Sequence, residues 1–384
     1  MSDRTPWQQA RRVARGAAHR LAPVEVSLAQ AAGCVLATPL RALVSIPACD
    51  TAAMDGYAVA GRGPWTVDGS VLAGQEATAD PLSPGRAVEV ATGAPVPAGV
   101  AAVLPYEQAS RSGRAVDGTP TLGRHVRRRG EDCVRGTELL AAGAVVTPAL
   151  LGLAASLGHD TLTVRPRPGV AILVTGDEVV TRGVPPPGRV RDALGPLLPG
   201  LVHWAGGQGS PARYVPDGSH ELADALASTG DADVLVACGA SSAGPADHLP
   251  RVLRDLGAEL LVDGVACRPG HPQLLARLPD GRFVVGLPGN PHAALVAALT
   301  LLVPLIGTLT ARSPAPAENA VPAGEIATHT RDTRLVAVRR TPEGVVPAGH
   351  DRPGTLWGAA LADALAVVPP GWCGEDVELL SLPA

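Results

Sequence analysis

The sequence contains no lysine: all 32 of its basic residues are arginine. Any site that wants a lysine must therefore use another group. Aromatic residues are only 2% of the chain, against 46% hydrophobic residues. A sizeable core can form, but it must be built from leucine, valine and alanine. Cysteine is sparse, and Cys34, Cys49, Cys133, Cys238, Cys267 and Cys373 form no C-x-x-C pair. That spacing suggests neither a zinc site nor a disulfide framework. It leaves the cysteines as small buried hydrophobes in a reducing compartment. The net charge is −4 with no basic stripe, so electrostatics gives no case for nucleic acid. Residues 1–20 are polar and arginine-bearing, with no apolar segment of the secretory type. The longest apolar run, 293–306, is interrupted by Thr300 and Pro304. It falls short of the roughly 20 residues a membrane span needs. The chain reads as soluble and cytoplasmic, without a membrane partner.

Glycine (45) and proline (38) are in excess, which implies many turns and short connections. With 384 residues the chain is long enough for roughly two to four domains. Residues 5–20 read as an exposed amphipathic helix. Residues 45–140 carry short apolar runs between glycines and prolines, the pattern of a β-rich module. A short helical pattern at 148–157 stops at Gly158.

From Gly169 the grammar changes. The apolar run 170–174 ends in Thr175-Gly176-Asp177-Glu178. A helix follows, with Leu194, Leu197, Leu198, Leu201 and Val202 on one face. The run 234–236 ends in Cys238-Gly239, and Leu249, Val252, Leu253 and Leu256 then recur at helical spacing. The run 283–285 ends in Gly286-Leu287-Pro288-Gly289-Asn290, followed by the apolar run from Ala293. Strands alternating with helices predict a doubly wound α/β domain with a parallel sheet. The Pro- and Ala-rich stretch 312–324 reads as a linker, and 325–384 as a small β-module.

Ligands of open parallel sheets bind outside the carboxyl ends of the strands. The polar clusters lie at those ends. Thr175–Glu178 brings two carboxylates to one. The stretch Gly239-Ala240-Ser241-Ser242-Ala243-Gly244 brings glycines, amides and hydroxyls able to cradle a phosphate to the next. Arg268-Pro269-Gly270-His271 offers two groups able to hold an anion. Each cluster alone is equally a turn, a helix cap or a solvated charge. Together, at three strand ends, they point to a site for a phosphorylated or nucleotide ligand.

Longer stretches carry a resemblance. Asp50-Thr51-Ala52-Ala53-Met54-Asp55-Gly56-Tyr57-Ala58 resembles the S-A-M-D-G-Y-A signature of the molybdopterin molybdenumtransferase (MoeA-like) family. Ala91-Thr92-Gly93-Ala94-Pro95-Val96-Pro97, Val103-Leu104-Pro105-Tyr106-Glu107 and Arg129-Gly130-Glu131-Asp132 are similar to its next blocks. Thr175–Glu178, Arg191-Asp192, Arg268-Pro269-Gly270, residues 286–291 and Ala362–Leu365 follow in order. The likeness covers about residues 20 to 371.

The resemblance implies a multidomain elongated chain. Residues 1–22 and 168–313 would form the α/β molybdopterin-binding-like domain, and 23–44 with 141–167 an elongated linker domain. Residues 45–140 would be a β-rich domain and 314–384 a C-terminal β-barrel. It implies a homodimer whose site is shared between subunits. It also implies insertion of molybdenum from molybdate into adenylylated molybdopterin, with release of AMP. The implied catalytic acids are Asp55, Asp132, Glu178, Asp192 and Asp247. Of these, Glu178, Asp192 and Asp247 would hold Mg²⁺. Thr92, Gly239, Ser242, Arg268, His271, Pro288 and Asn290 would bind substrate. Further expected partners are the molybdopterin adenylyltransferase of the preceding step and the enzymes that receive the cofactor.

The family pattern is altered at its loops. D-S-N reads Asp192-Ala193-Leu194, and the block ending in G-D-Y-D reads Gly244-Pro245-Ala246-Asp247. K-P-G-K-P reads Arg268-Pro269-Gly270-His271-Pro272, and G-N-P-x-S ends in His292-Ala293. Drift away from lysine accounts for positions 268 and 271, but not for Leu194, Pro245, Ala246 or Ala293. A non-catalytic relative that keeps the ligand and loses the chemistry is the alternative reading.

Overall fold

In the computed structural model the chain divides into two compact units. One comprises Met1–Val24, Gly33–Ala37 and Val164–Ala384, and the other Glu25–Ala32 and Thr38–Thr163. The structure describes residues 4–76, 80–239, 241, 247–313 and 316–383.

The larger unit is built on a seven-stranded sheet. Its order is Gln208–Gly209, Gly169–Thr175, Val234–Cys238, Phe283–Leu287, Leu274–Arg277 and Glu259–Asp263, and Arg213–Val215 also pairs with Gly169–Thr175. The first three in that order, Phe283–Leu287 and Arg213–Val215 pair in parallel, while the other two form an antiparallel edge. The central strands are buried along nearly their whole length, as unbroken Val/Ile/Leu runs with helices on both faces should be.

Alternation assigns the two faces. Val170, Ile172 and Val174 pack with Leu198, Leu201 and Val202 of the helix Leu194–Ala205. Leu173 and Leu235 face the other way, onto Leu222 and Leu226 of Ser219–Ala227 and Leu249 and Leu253 of Leu249–Asp255. Each such leucine is worth about 2 kcal/mol when fully buried, so the alternation fixes the register of every central strand.

The apolar run from Pro291 behaves differently from the expectation. Thr300 and Pro304 do not interrupt it: Pro291–Ala297, a π-helical turn Ala298–Leu302 and Val303–Thr310 form one helix of 20 residues. Thr300 bonds back to the Val296 carbonyl at 2.7 Å, and Pro304 enters at the start of the last segment, where its missing N–H costs least. The helix is long and apolar enough to span a membrane, yet 83% of its most apolar window is buried inside the protein. Here it is a core helix.

The N-terminal helix Trp7–Gly16 is not exposed along its length. Trp7, Ala10 and Ala14 are buried, and Trp7 Nε1 donates to Thr300 Oγ1 at 3.1 Å.

A second seven-stranded sheet in this unit joins Thr5–Pro6, Val265–Arg268, Thr333–Thr341, Ala364–Val368, Val377–Ser381 and Glu318–Ala320 in that order, with Gly344–Pro347 beside Thr333–Thr341. The C-terminal strands therefore share a ladder with Val265–Arg268 of the α/β region, in parallel at Cys267↔Thr333 and Arg268↔Arg334. The stretch expected to be a linker contributes the strand Glu318–Ala320.

The smaller unit holds a six-stranded sheet in the order Ala109–Ser112, Ala115–Gly118, Trp65–Val71, Arg86–Val90, Gly56–Val59 and Ala102–Pro105. Tyr57, Val59, Trp65 and Leu104 fill one face, and Ala58, Val88, Val90 and Val103 the other. A scarce aromatic is thus spent where volume is needed. The helix Pro148–Ser156 starts at Thr147, whose hydroxyl accepts from Leu150 N–H, and ends before Gly158, at φ +93°. Four cysteines are buried as expected, but Cys49 and Cys373 are exposed.

Candidate functional site

In the larger unit the chain runs from Gly169–Thr175 to Arg213–Val215 on one side of it, then crosses to Val234–Cys238 on the other. The strand order reverses between the ends Thr175 and Cys238, which is where open α/β sheets form a binding crevice. These ends touch. The buried Thr175 hydroxyl donates to the Cys238 carbonyl at 3.0 Å, and Gly239 N–H donates to the Leu287 carbonyl at 3.1 Å. Gly239 sits at φ +98°, and a Cβ there would lie 2.8 Å from the Thr175 carbonyl oxygen. A Cβ on Gly289 would be 3.5 Å from the Gly239 Cα. Glycine is required at 239 for this approach, whereas a Cβ at 289 would make only an ordinary contact.

Two further loops join them. The buried Ser241 hydroxyl donates to the Pro272 carbonyl at 2.6 Å. A Cβ on Gly270 would lie 2.8 Å from the Ala293 carbonyl, so the Arg268–His271 turn rests on the start of the helix beginning at Pro291. Pro288 is buried, and Asn290 is exposed with no capping bond from its side chain. Ser242 lies outside the described residues, as do Pro245 and Ala246.

The acidic groups are not alike. Asp192 is only 8% exposed. Its carboxylate accepts from Leu194 N–H at 2.9 Å, from Gly195 N–H at 3.1 Å and from the Tyr214 hydroxyl at 2.7 Å. The two backbone bonds fix the start of the helix Leu194–Ala205. Tyr214 in turn is pushed up to about 12, first by this hydrogen bond and then by burial.

Glu178 is exposed, and its carboxylate folds back over Gly176, where an added Cβ would meet Oε2 at 2.7 Å. Asp177 and Asp217 exchange bonds, each N–H donating to the other's carboxylate at 3.2 Å. Among the described residues no three His, Cys, Asp or Glu side chains are gathered to hold a metal ion. Glu178, Asp192 and Asp247 are therefore not assembled as a magnesium cage. Asp192 already accepts from three donors, which takes up most of its roughly four lone-pair sites.

The cationic pair is placed at one turn. Arg268 Nε donates to the buried Asp332 at 2.8 Å, which offsets part of its charge, while much of the guanidinium stays exposed. His271 is held below its ordinary value by burial first, then by Arg4 and Arg268, against the opposing pull of Asp332. The altered position Leu194 is in the core, and Ala293 is buried as well.

The smaller unit carries the other candidates. Asp55 accepts from Thr92 N–H at 2.6 Å and from its hydroxyl at 3.0 Å. The backbone bond, then the hydroxyl, hold the exposed Asp55 carboxyl below the ordinary aspartate value. Gly56 makes the loop possible, since a Cβ there would meet the Leu104 carbonyl oxygen at 2.2 Å. Asp132 is exposed, with its N–H bonded to the Ile46 carbonyl at 3.0 Å. Asp50 ties the two loops together, accepting from Arg128 Nη1 at 2.5 Å and Arg129 N–H at 2.9 Å.

The sequence pattern did not single out Tyr214, Asp332 or Asp50 as partners. Tyr214 lies on a three-residue strand, too short to show a period. Asp332 is 64 positions from Arg268, and the pairing exists only once the second sheet forms.

Residues 5–158 match the model of the MoeA N-terminal region (domain I and II), and 171–308 that of a probable molybdopterin binding domain. A molybdopterin molybdenumtransferase 2 of Mycobacterium tuberculosis is 36% identical over 296 residues, 72% of each chain. A molybdopterin molybdenumtransferase of Nostoc is 31% identical over 386 residues, 93% of this chain and 88% of the relative. The crystal structure of a molybdopterin biosynthesis MoeA protein from Pyrococcus horikoshii superposes with a TM-score of 0.79 at 26% identity, covering 99% of both chains.

Proposed function

Because the chain belongs to the molybdopterin molybdenumtransferase family, we propose that it is a transferase of molybdenum-cofactor biosynthesis. It takes adenylylated molybdopterin and molybdate, hydrolyses the pyrophosphate, releases AMP and leaves molybdenum on the two dithiolene sulfurs. The observation that carries this reading is the meeting of Thr175, Gly239 and Gly289 at the reversal of strand order. Their close backbones open a crevice that a pyrophosphate can approach.

The residues divide the work. Arg268 and His271 face the anions, with Gly239, Ser242, Pro288 and Asn290 around them as the substrate-binding loops. Arg268 binds as a half-neutralised cation, because Asp332 already pairs with it. His271, depressed by burial first and then by its cationic neighbours, takes up a proton when an anion arrives and so gains charge only with its ligand. Asp55, kept ionised by Thr92, is the fixed charge of the other unit, with Asp132 beside it in the family pattern.

A magnesium ion would fall to Glu178, Asp192 and Asp247, of which Asp192 also accepts from Tyr214 and from the helix start. Asp192 acts here as a positioning group.

We read the wider layout as that of the family. Residues 1–22 with 168–313 and residues 23–44 with 141–167 would be two discontinuous subdomains, beside 45–140 and a C-terminal barrel 314–384. The protein would be a cytoplasmic homodimer, with the Asp55 face of one subunit serving the strand ends of the other. Division of the signature residues between two compact units supports this arrangement.

The test is release of AMP from adenylylated molybdopterin by the purified full chain. Release that requires molybdate is expected. Tight binding of the nucleotide with no AMP formed would make this a binding protein that has kept the ligand and lost the chemistry.

A further inference from the structure

The Arg268–His271 turn has its carbonyls gathered beneath it. Cys267 Sγ donates to the Pro269 carbonyl at 3.5 Å, Gln273 Nε2 to the Gly270 carbonyl at 2.7 Å, and Gln273 N–H to the His271 carbonyl at 3.0 Å. Burial pushes the Cys267 thiol up to about 12, so it keeps its proton. Gln273 Nε2 also reaches Cys267 Sγ, at 3.3 Å. One residue, Gln273, thus takes up two of the three carbonyls and touches the donor to the third.

Gln273 is only 1% exposed, and the strand Leu274–Arg277 that follows it begins with three buried apolar residues. Its other polar atom, Oε1, is buried and has no hydrogen-bond partner among the described residues. A buried carbonyl oxygen without a donor is costly, and an apolar side chain of the same length would avoid that cost. Turning the amide over gives no relief, because it would set oxygen against the Gly270 carbonyl. Core stability therefore does not account for a glutamine here. What the carboxamide contributes is its bond to Gly270.

That bond acts on the far side of the turn as well. In a trans peptide the C=O and N–H point in opposite directions. Holding the Pro269 and Gly270 carbonyls beneath the turn aims the N–H groups of Gly270 and His271 away from Gln273. Neither N–H is taken up by another group among the described residues. Successive free N–H groups form a concavity suited to an oxyanion, and the exposed side chains of Arg268 and His271 flank this one.

Resting on the transferase reading above, we propose that Gln273 is a positioning residue for molybdate. It does not touch the anion. It holds the turn so that amide donors, and not carbonyl oxygens, face the dianion between Arg268 and His271.

Titration calorimetry with molybdate on the full-length protein tests this. Gln273→Met keeps the length of the side chain and discards both the donor and the orphaned oxygen. It should weaken molybdate roughly tenfold, while the urea midpoint stays near that of the wild type. In AMP release the loss should appear in KM for molybdate, with kcat within about twofold of the wild type. A merely structural defect would not split the constants in that way. Amide NMR of the wild type needs no variant: the Gly270 and His271 N–H signals should both move downfield as molybdate is added. Unchanged molybdate affinity in Gln273→Met overturns the proposal, and so do amide signals that stay in place at saturation. A wild type that binds no molybdate overturns it too. AMP release on the same preparation then tells whether the transferase reading falls with it or survives with its anion held elsewhere.

Discussion

Thr92 holds Asp55 through two hydrogen bonds, one from its backbone N–H at 2.6 Å and one from its hydroxyl at 3.0 Å. The aspartate is exposed, so the pair serves to fix a charge in place rather than to stabilise a core. Asp55→Ala should lower AMP release by roughly 100-fold or more while circular dichroism stays unchanged. Thr92→Val keeps the backbone donor, so its loss should be about tenfold or less. Because the backbone bond is the larger cause of the depressed value, Asp55 should still titrate below an ordinary aspartate in Thr92→Val, as followed by carboxyl NMR. Wild-type activity in Asp55→Ala would remove it from the site.

Gly239→Ala should unfold the protein more readily. The new methyl meets the Thr175 carbonyl at 2.8 Å with the backbone at φ +98°. A cost above about 2 kcal/mol is expected by urea denaturation. Gly188→Ala is the control: its φ is +83°, but nothing lies within 4 Å. It should lose only about 1 kcal/mol of backbone strain. Equal losses would show that contact with Thr175 is unimportant.

His271 gives a pH dependence of definite sign. Its folded value lies below the ordinary 6.5, so the native state prefers the neutral ring. Stability from this group is present above about pH 6.5 and falls as the pH drops through the folded value. Molybdate binding should run the other way, tightening as the ring gains its proton. Calorimetry between pH 5 and 8 should show that trend in the wild type and lose most of it in His271→Gln. An unchanged slope would take His271 out of the anion site.

Alkaline titration should resolve the tyrosines. Tyr106, raised mainly by burial and then by Glu89, and Tyr214, raised mainly by Asp192, both sit near 12. The native state favours the protonated phenols. Their contribution is full below the ordinary value near 10 and disappears as the pH rises through 12. Absorbance at 295 nm should show late-ionising tyrosine in the folded protein, with the contribution of Tyr214 missing in Tyr214→Phe. Only normal titration in the native protein would contradict both hydrogen bonds.

The α/β region was legible because its central strands are buried on both faces, so Val170–Val174 and Val234–Val236 stand out without any partner being known. The strand-end clusters followed from the same grammar: Gly239 marks where backbones must approach. What stayed hidden was pairing over distance. Nothing local in Asp192 announces Tyr214, and nothing in Arg268 announces Asp332. The apolar run from Pro291 misled for a different reason. A proline and a threonine inside it read as breaks, but a π-helical turn before Pro304 absorbs both. Trp7 and its small neighbours Ala10 and Ala14 read as a surface helix because their partner, Thr300, lies almost 300 positions away.

The strand Val265–Arg268 belongs by connectivity to the α/β region and by hydrogen bonding to the sheet that carries the C-terminal strands. Modules stitched through a common ladder have no seam along which heat or a protease can part them. Removing the C-terminal strands would strip Val265–Arg268 of Thr333–Thr341, one of its two neighbours, and disturb the Arg268 turn. Variation in the C-terminal segment can therefore reach the Arg268 turn, which the segment's own sequence gives no sign of touching.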